Sequence, residues 1–330
     1  MQTNGIYRAE FIERRETGVE FSVLVPVYNG ALSLPELVQR IEAVINKLGR
    51  TYEIVLMDDG STDGSWAVIS DLHQRRKNIC AIRHMKNLGH NFSLQHGLEF
   101  CTGEFVITLD DDLQHPPEEI LKLINKIEES DADVVFGNFE RRLHQGWRNL
   151  GSTLYLKLVR FLYDLPNELY VTSFRIMRRR IVDQIVTSTL AEPQAGFMIL
   201  KTTHRIENVE VEHAERKYGA SGIKLSKMIR LTVDLVLHHT TIPLQAITAI
   251  GMIAMVSSAL LAITYLSRYL LHQIGVDGFT TLVLLILAFG GLTAFGIGIL
   301  GFYLSRLLQQ STYNLPYSVR NYLPPGGDHE

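Results

Sequence analysis

Through the first 140 positions, apolar residues come in short continuous runs separated by segments of helical spacing. Phe21-Ser-Val-Leu-Val-Pro-Val27 is one such run, apolar and β-branched as a strand buried on both faces requires. Ser33-x-x-Glu36 then offers a capping box for a helix reaching about Lys47. Glu53–Met57 predicts the next strand, and Asp58-Asp-Gly-Ser-Thr-Asp-Gly64 the turn after it. A helix over Ser65–Arg76, a strand over Ile79–Arg83, a helix over Asn91–Cys101 and a strand over Phe105–Leu109 follow. Pro117–Glu129 predicts a further helix and Val134–Gly137 a further strand. This alternation predicts an α/β fold with a mostly parallel sheet and helices on both faces. Ligands of such sheets sit beyond the carboxyl ends of the strands, where the acidic loops 58–63 and 110–112 fall.

The pattern changes in the second half. Residues 146–165 mix Trp147, Tyr155 and Phe161 with Arg148, Lys157 and Arg160, which suits either a helix packed on the sheet or one lying in a membrane interface. The stretch 221–240, with Lys224, Lys227 and Arg230 among apolar residues, offers the same choice and leans toward the interface. Pro243–Ser267 and Phe279–Ser305 carry no charged residue. Each is about 25 residues long, enough at ~1.5 Å per residue to cross a ~30 Å hydrocarbon layer. Basic residues flank this pair on the outside, and Arg268 alone lies between the two, so both termini are expected in the cytoplasm. The expected organisation is a catalytic domain over 1–220, a juxtamembrane helix over 221–240, a two-span hairpin over 241–306 and a cytoplasmic tail over 307–330. Small residues at Ala254, Ser258 and Ala262, and at Gly290, Ala294 and Gly298, would let the spans pack closely or a homo-oligomer form.

Composition adds limits rather than identity. A formal net charge of −3 argues against bulk nucleic-acid binding. Cys80 and Cys101 have neither metal-ligand spacing nor a disulfide pattern, consistent with a reducing compartment. Residues 1–18 contain no apolar core of a secretory signal. The expected location is the cytoplasmic (inner) membrane, multi-pass, with the catalytic domain inside.

Asp110-Asp-Asp112 directly follows a predicted strand. Three adjacent carboxylates repel one another unless a cation or hydrogen-bond donors compensate. With extended backbone Asp110 and Asp112 would face one side and suit Mg²⁺ or Mn²⁺; without a ligand they make a solvated acidic turn. Asp58-Asp59-Gly60-Ser61 and Pro26-Val-Tyr28-Asn29 close two other strands, so three polar loops meet at one sheet edge.

These motifs make the chain resemble the family 2 glycosyltransferases of the GT-A type. The likeness rests on Val25-Pro-Val-Tyr-Asn29, Met57-Asp-Asp-Gly-Ser-Thr-Asp-Gly64, Lys86-Asn-Leu-Gly89 and Asp110-Asp-Asp-Leu-Gln-His-Pro-Pro117. His213-Ala-Glu-Arg-Lys-Tyr-Gly-Ala-Ser221 and the two apolar segments make it similar to the polyprenyl-phosphate branch. The resemblance implies that Pro26, Tyr28, Asn29, Asp58 and Asp59 hold the nucleoside of a nucleotide-sugar. It implies that Asp110, Asp112 and Gln114 hold the metal and diphosphate, leaving Asp111 as a bystander. It places Arg141, Arg142, Arg175 and Arg216 at the acceptor phosphate, with Arg141 and Arg216 beside Asp110 and Asp112 in the catalytic set. Arg178-Arg-Arg180 reads instead as a solvated helix start. Where family members commonly carry Glu after Val-Tyr-Asn, this chain has Gly30.

The implied reaction is metal-dependent transfer of a sugar to a polyprenyl phosphate such as undecaprenyl phosphate. A processive polysaccharide synthase of the same fold would carry a Gln-x-x-Arg-Trp motif, absent around Trp66 and Trp147. A non-catalytic nucleotide-sugar-binding membrane protein would bind the donor without turnover.

Overall fold

The computed structural model describes residues 18–139, 169–187, 195–212, 214, 279–312 and 319–326, with scattered helical positions between 247 and 278. Two compact units divide the chain. The first comprises Met1–Arg148, Leu156–Ser221 and Asn314–Glu330; the second comprises Asn149–Tyr155 and Gly222–Tyr313.

In the first unit the chain alternates β1 (Phe21–Val27), α1 (Leu34–Ile45), β2 (Tyr52–Asp58), α2 (Ser65–Arg75), β3 (Ile79–His84), α3 (His90–Glu99) and β4 (Phe105–Thr108). It continues through α4 (Ile120–Glu129), β5 (Val134–Phe139), β6 (Arg175–Arg178), α5 (Arg179–Thr187), α6 (Ala195–Thr202) and β7 (Ile206–Val211). A late strand, β8 (Val319–Leu323), joins the same sheet. The strand order is β7-β5-β6-β4-β1-β2-β3-β8. All neighbours pair in parallel except around β6 and β8, which run the opposite way.

Both faces of the central strands β1 to β4 are buried, which is why these strands read as continuous apolar runs. Successive β1 residues serve opposite faces: Val23, Val25 and Val27 pack with α1 and α4, while Leu24 packs with Leu94 and Leu98 of α3. The order reverses at β1, which has β2 on one side and β4 on the other. The β1–β4 ladder stops at Leu24 and Thr108, and in sheets of this kind ligands bind in the crevice where the strands part at such a reversal. Pro26 is tolerated in this central strand because its missing N–H falls on the β4 side, beyond the last paired residue.

Three local readings change. The capping box does not form: the Ser33 hydroxyl donates to the Gly30 carbonyl at 3.0 Å, so α1 has no side-chain cap. Arg178–Arg180 are not simply solvated. Arg178 donates to the carbonyls of Ile127 and Ala132 at the end of α4, and Arg179 to Gly103. Arg180 pairs with Asp133. The segment from residue 307, expected as a tail, instead holds the end of a helix and the edge strand β8.

In the second unit, α7 (Phe279–Thr312) runs 34 residues. Gly296 approaches Ile247 closely enough that a Cβ on it would lie 3.5 Å from the Ile247 side chain, whereas Gly290 and Gly298 meet nothing within 4 Å among the described residues. Many of the α7 side chains lie outside the described set, and among the described residues no helix is long and apolar enough to cross a membrane. The predicted helices over 146–165 and 221–240 lie outside the described residues.

Candidate active site

Three turns meet at the crevice. The turn after β1 is latched to the turn after β2: the Asn29 and Gly30 N–H groups donate to the Ser61 and Ser65 hydroxyls at 3.0 and 2.9 Å. Asn29 sits at φ 56°, a left-handed conformation that asparagine tolerates, and its side-chain oxygen accepts the Thr62 N–H at 2.9 Å. Gly60 (φ 66°) brings the second turn against the backbone of Lys86 and Asn87, where a Cβ would stand 2.7 Å from the Lys86 carbonyl carbon.

Asp58 and Asp59 close β2 but are inside the fold, at 0% and 2% exposure. Asp58 accepts the Ser61 N–H at 3.0 Å and faces the Arg83 guanidinium at 3.0 Å. Asp59 accepts the N–H groups of Leu88 and Gly89, each at 2.8 Å, and the Nδ1–H of His84 at 3.0 Å. Burial pushes this carboxyl up, but the bonds from His84, Leu88, Ser93 and Gly89 outweigh it and hold Asp59 below its ordinary value. The oxygens of Asp59 thereby also fix the Lys86–Gly89 loop. Behind it the His84 Nε2 lies 2.7 Å from His96 Nδ1, their rings stacked.

The backbone does not stay extended through the acidic triplet. It turns at Asp111, and Leu113 takes φ 60°. Asp110 accepts the Ser173 hydroxyl at 2.6 Å through Oδ2, and His90 Nε2 stands 3.6 Å from Oδ1. That Oδ1 is buried and has no hydrogen-bond partner, as an oxygen reserved for a cation would be. Asp112 Oδ1 accepts the Gln114 N–H at 3.1 Å, and the Gln114 carbonyl accepts the Ala214 N–H at 3.0 Å. Asp110 and Asp112 thus remain at the crevice with Gln114 beside them. Asp111 is no bystander: it accepts the Tyr28 N–H at 3.2 Å. Burial, with Asp110 and Asp112 adding repulsion, pushes its carboxyl up to about 6.

Arg175, expected at the acceptor phosphate, lies inside the fold. It is 3% exposed, over the Phe136 ring, with Nε buried and unpartnered. Burial depresses its guanidinium to about 10, while Asp110 acts in the opposite direction. Enclosed as it is, this guanidinium still interacts electrostatically with Asp110. Arg141, Arg142 and Arg216 lie outside the described residues. Ser173, Arg83, His84 and His96 were not singled out by spacing; each reaches the site from a distant segment, Ser173 from 63 positions past Asp110.

A doubly covered, mostly parallel sheet with carboxylate-bearing turns at its switch point is a GT-A-like α/β fold. The glycosyl transferase family 2 model matches residues 22–186, and the chain belongs to that family; it is a glycosyltransferase. Similar proteins include the undecaprenyl-phosphate 4-deoxy-4-formamido-L-arabinose transferase of Pseudomonas syringae pv. syringae, 33% identical over 87% of this chain and 86% of that one. The enzyme of the same name from Aeromonas hydrophila subsp. hydrophila is 33% identical over 87% of this chain and 88% of its own. Among solved structures, glucosyl-3-phosphoglycerate synthase from Mycobacterium tuberculosis, in complex with Mn²⁺, uridine diphosphate and phosphoglyceric acid, shares the fold. Its TM-score is 0.52 at 15% identity, over 68% of this chain and 79% of that chain.

Proposed function

We propose that the protein transfers a sugar from a nucleoside diphosphate, a UDP-sugar foremost, to undecaprenyl phosphate, giving a lipid-linked sugar for cell-envelope glycan modification. The observation that carries the reading is the buried, unpartnered Asp110 oxygen at the switch point, oriented from behind by Ser173. The acceptor is supported by the two curated relatives, which are undecaprenyl-phosphate sugar transferases.

Asp110, Asp112 and Gln114 would hold Mg²⁺ or Mn²⁺. Among the described residues no three His, Cys, Asp or Glu side chains form a complete cage, and an ion sharing its shell with a diphosphate and water needs none. When bound, such an ion neutralises the departing diphosphate. A phosphate monoester has its second pKa near ~6, so the acceptor is already largely ionised at neutral pH and needs little from a general base. An acceptor oxygen forms the new bond to the anomeric carbon as the bond to the diphosphate breaks. What the protein supplies is position and charge: the latched turns hold the donor, and Arg141, Arg142 and Arg216 would pair with the acceptor phosphate.

An anionic lipid acceptor explains the apolar segments. In this reading 243–267 and 279–305 cross the cytoplasmic membrane as a hairpin, with the catalytic unit and both ends inside. Leu282, Ile286, Phe295 and Ile297 of α7 are each more than half exposed, as lipid-facing residues are. β7 and β8 belong to one sheet, so the chain between Val211 and Val319 leaves and returns on the same side, which suits an even number of crossings. The test is a panel of UDP- and GDP-sugars offered to the detergent-purified protein with Mn²⁺ and undecaprenyl phosphate. One donor is expected to yield an organic-extractable sugar lipid; donor hydrolysis alone, with or without the lipid, would refute the acceptor.

A further inference from the structure

We propose that Asp111 is a positioning residue of the donor site, acting from the space that a side chain at position 30 would otherwise fill. This rests on the donor reading above. A Cβ on Gly30 would stand 2.4 Å from Asp111 Oδ2 and 3.2 Å from its Cγ. Gly30 is absent from the left-handed residues of the chain, so its backbone places no demand for glycine. Room is what the missing side chain provides. Into that room the Asp111 carboxylate folds back and accepts the Tyr28 N–H at 3.2 Å.

The position of this bond gives it consequence. β1 and β4 part after Leu24 and Thr108, and Tyr28 and Asp111 stand on the two turns that follow them. Their bond ties the Pro26–Asn29 turn to the turn bearing Asp110 and Asp112. On its other side the first turn is held by the Ser61 and Ser65 hydroxyls. Without Asp111, it would be latched from one side only.

Four full-length variants in detergent test this: D111A, D111N, G30A and the double variant D111A/G30E. Asparagine keeps an oxygen that can accept the Tyr28 N–H. Alanine at 30 drives the end of the Asp111 side chain out of its space, a shift the fold can absorb. Glutamate at 30 returns a carboxylate to the same space from the other turn. With UDP and Mn²⁺ as the calorimetric probe, D111N is expected to bind within about twofold of wild type, and D111A and G30A about tenfold more weakly. The double variant is expected to recover most of the loss. Amide exchange at Tyr28 supplies an arm that needs no nucleotide, with protection lost in D111A and G30A and kept in D111N. Wild-type binding by D111A, a D111N defect as large as that of D111A, or no recovery in the double variant would each overturn the proposal. A wild-type protein that binds UDP and Mn²⁺ yet glycosylates no lipid would refute the acceptor reading and leave this comparison standing.

Discussion

A buried ionisable side chain either finds compensating partners or changes its charge, and this site contains both outcomes. Asp59 remains an anion because Leu88, Gly89 and His84 donate to it. His96, stacked on His84, is held well below its ordinary value of 6.5, by burial first and by His84 second. The sign follows from proton counting: below pH 6.5 the unfolded chain takes up a proton that the folded chain refuses. The stability contributed by neutral His96 is thus present above that pH and lost as pH falls toward the folded value. The wild-type thermal midpoint should fall more steeply between about pH 6.5 and 5.5 than that of H96Q; parallel slopes would contradict the assignment. Asp59 is also shifted downward, through hydrogen bonds that favour its anion, and works in a lower window. Its contribution is present above its ordinary value of 3.8 and disappears as pH falls through its lower folded value.

Among the elements, β8 is the one that changes the molecule most. It covers the edge of β3, pairing Ala81 with Leu323 and Ile82 with Tyr322, and the Tyr322 ring lies 5.5 Å from that of Phe100. Phe100 in turn meets His96 edge-on, so the chain's last strand supports the network behind Asp59. Tyr322→Ala should destabilise the first unit by about 2 kcal/mol, read as a lower thermal midpoint and faster amide exchange in β3. Unchanged exchange would mean that β8 only rests on the edge. The strands β1 to β5 were legible because burial on both faces leaves an uninterrupted apolar run. β6 and β8 were not: Arg175-Ile-Met-Arg178 and Val319-Arg-Asn-Tyr-Leu323 are short and charged, and only partners far away in the chain make them strands. The site divides in the same way. Asp110 and Asp112 could be found from a strand end followed by carboxylates, whereas the role of Asp111 depends on a glycine 81 positions earlier. Arg175 was placed at the acceptor phosphate by resemblance alone, and its enclosure, made by partners distant in the chain, could not be read from the sequence.

For the whole molecule, the return of β8 to the sheet makes topology testable apart from chemistry. If the apolar segments form a hairpin, a tag after residue 326 should share its side of the membrane with the catalytic unit, and a tag in the 268–278 loop should lie opposite. Protease access in right-side-out and inverted vesicles reads both, and tags appearing together would exclude the hairpin. Such a hairpin would give a soluble donor and a bilayer-bound acceptor a common meeting place, and the proposed cation site at the switch point would balance their charges. The most direct measurement is the extracted lipid product of purified wild-type and D112A proteins, supplied with the active UDP-sugar, Mn²⁺ and undecaprenyl phosphate. Wild type is expected to form a glycosyl undecaprenyl phosphate whose mass exceeds the acceptor by one sugar residue, and D112A to form it at least about a hundredfold more slowly. Equal metal-dependent rates, or no sugar on the lipid with any donor, would contradict the account.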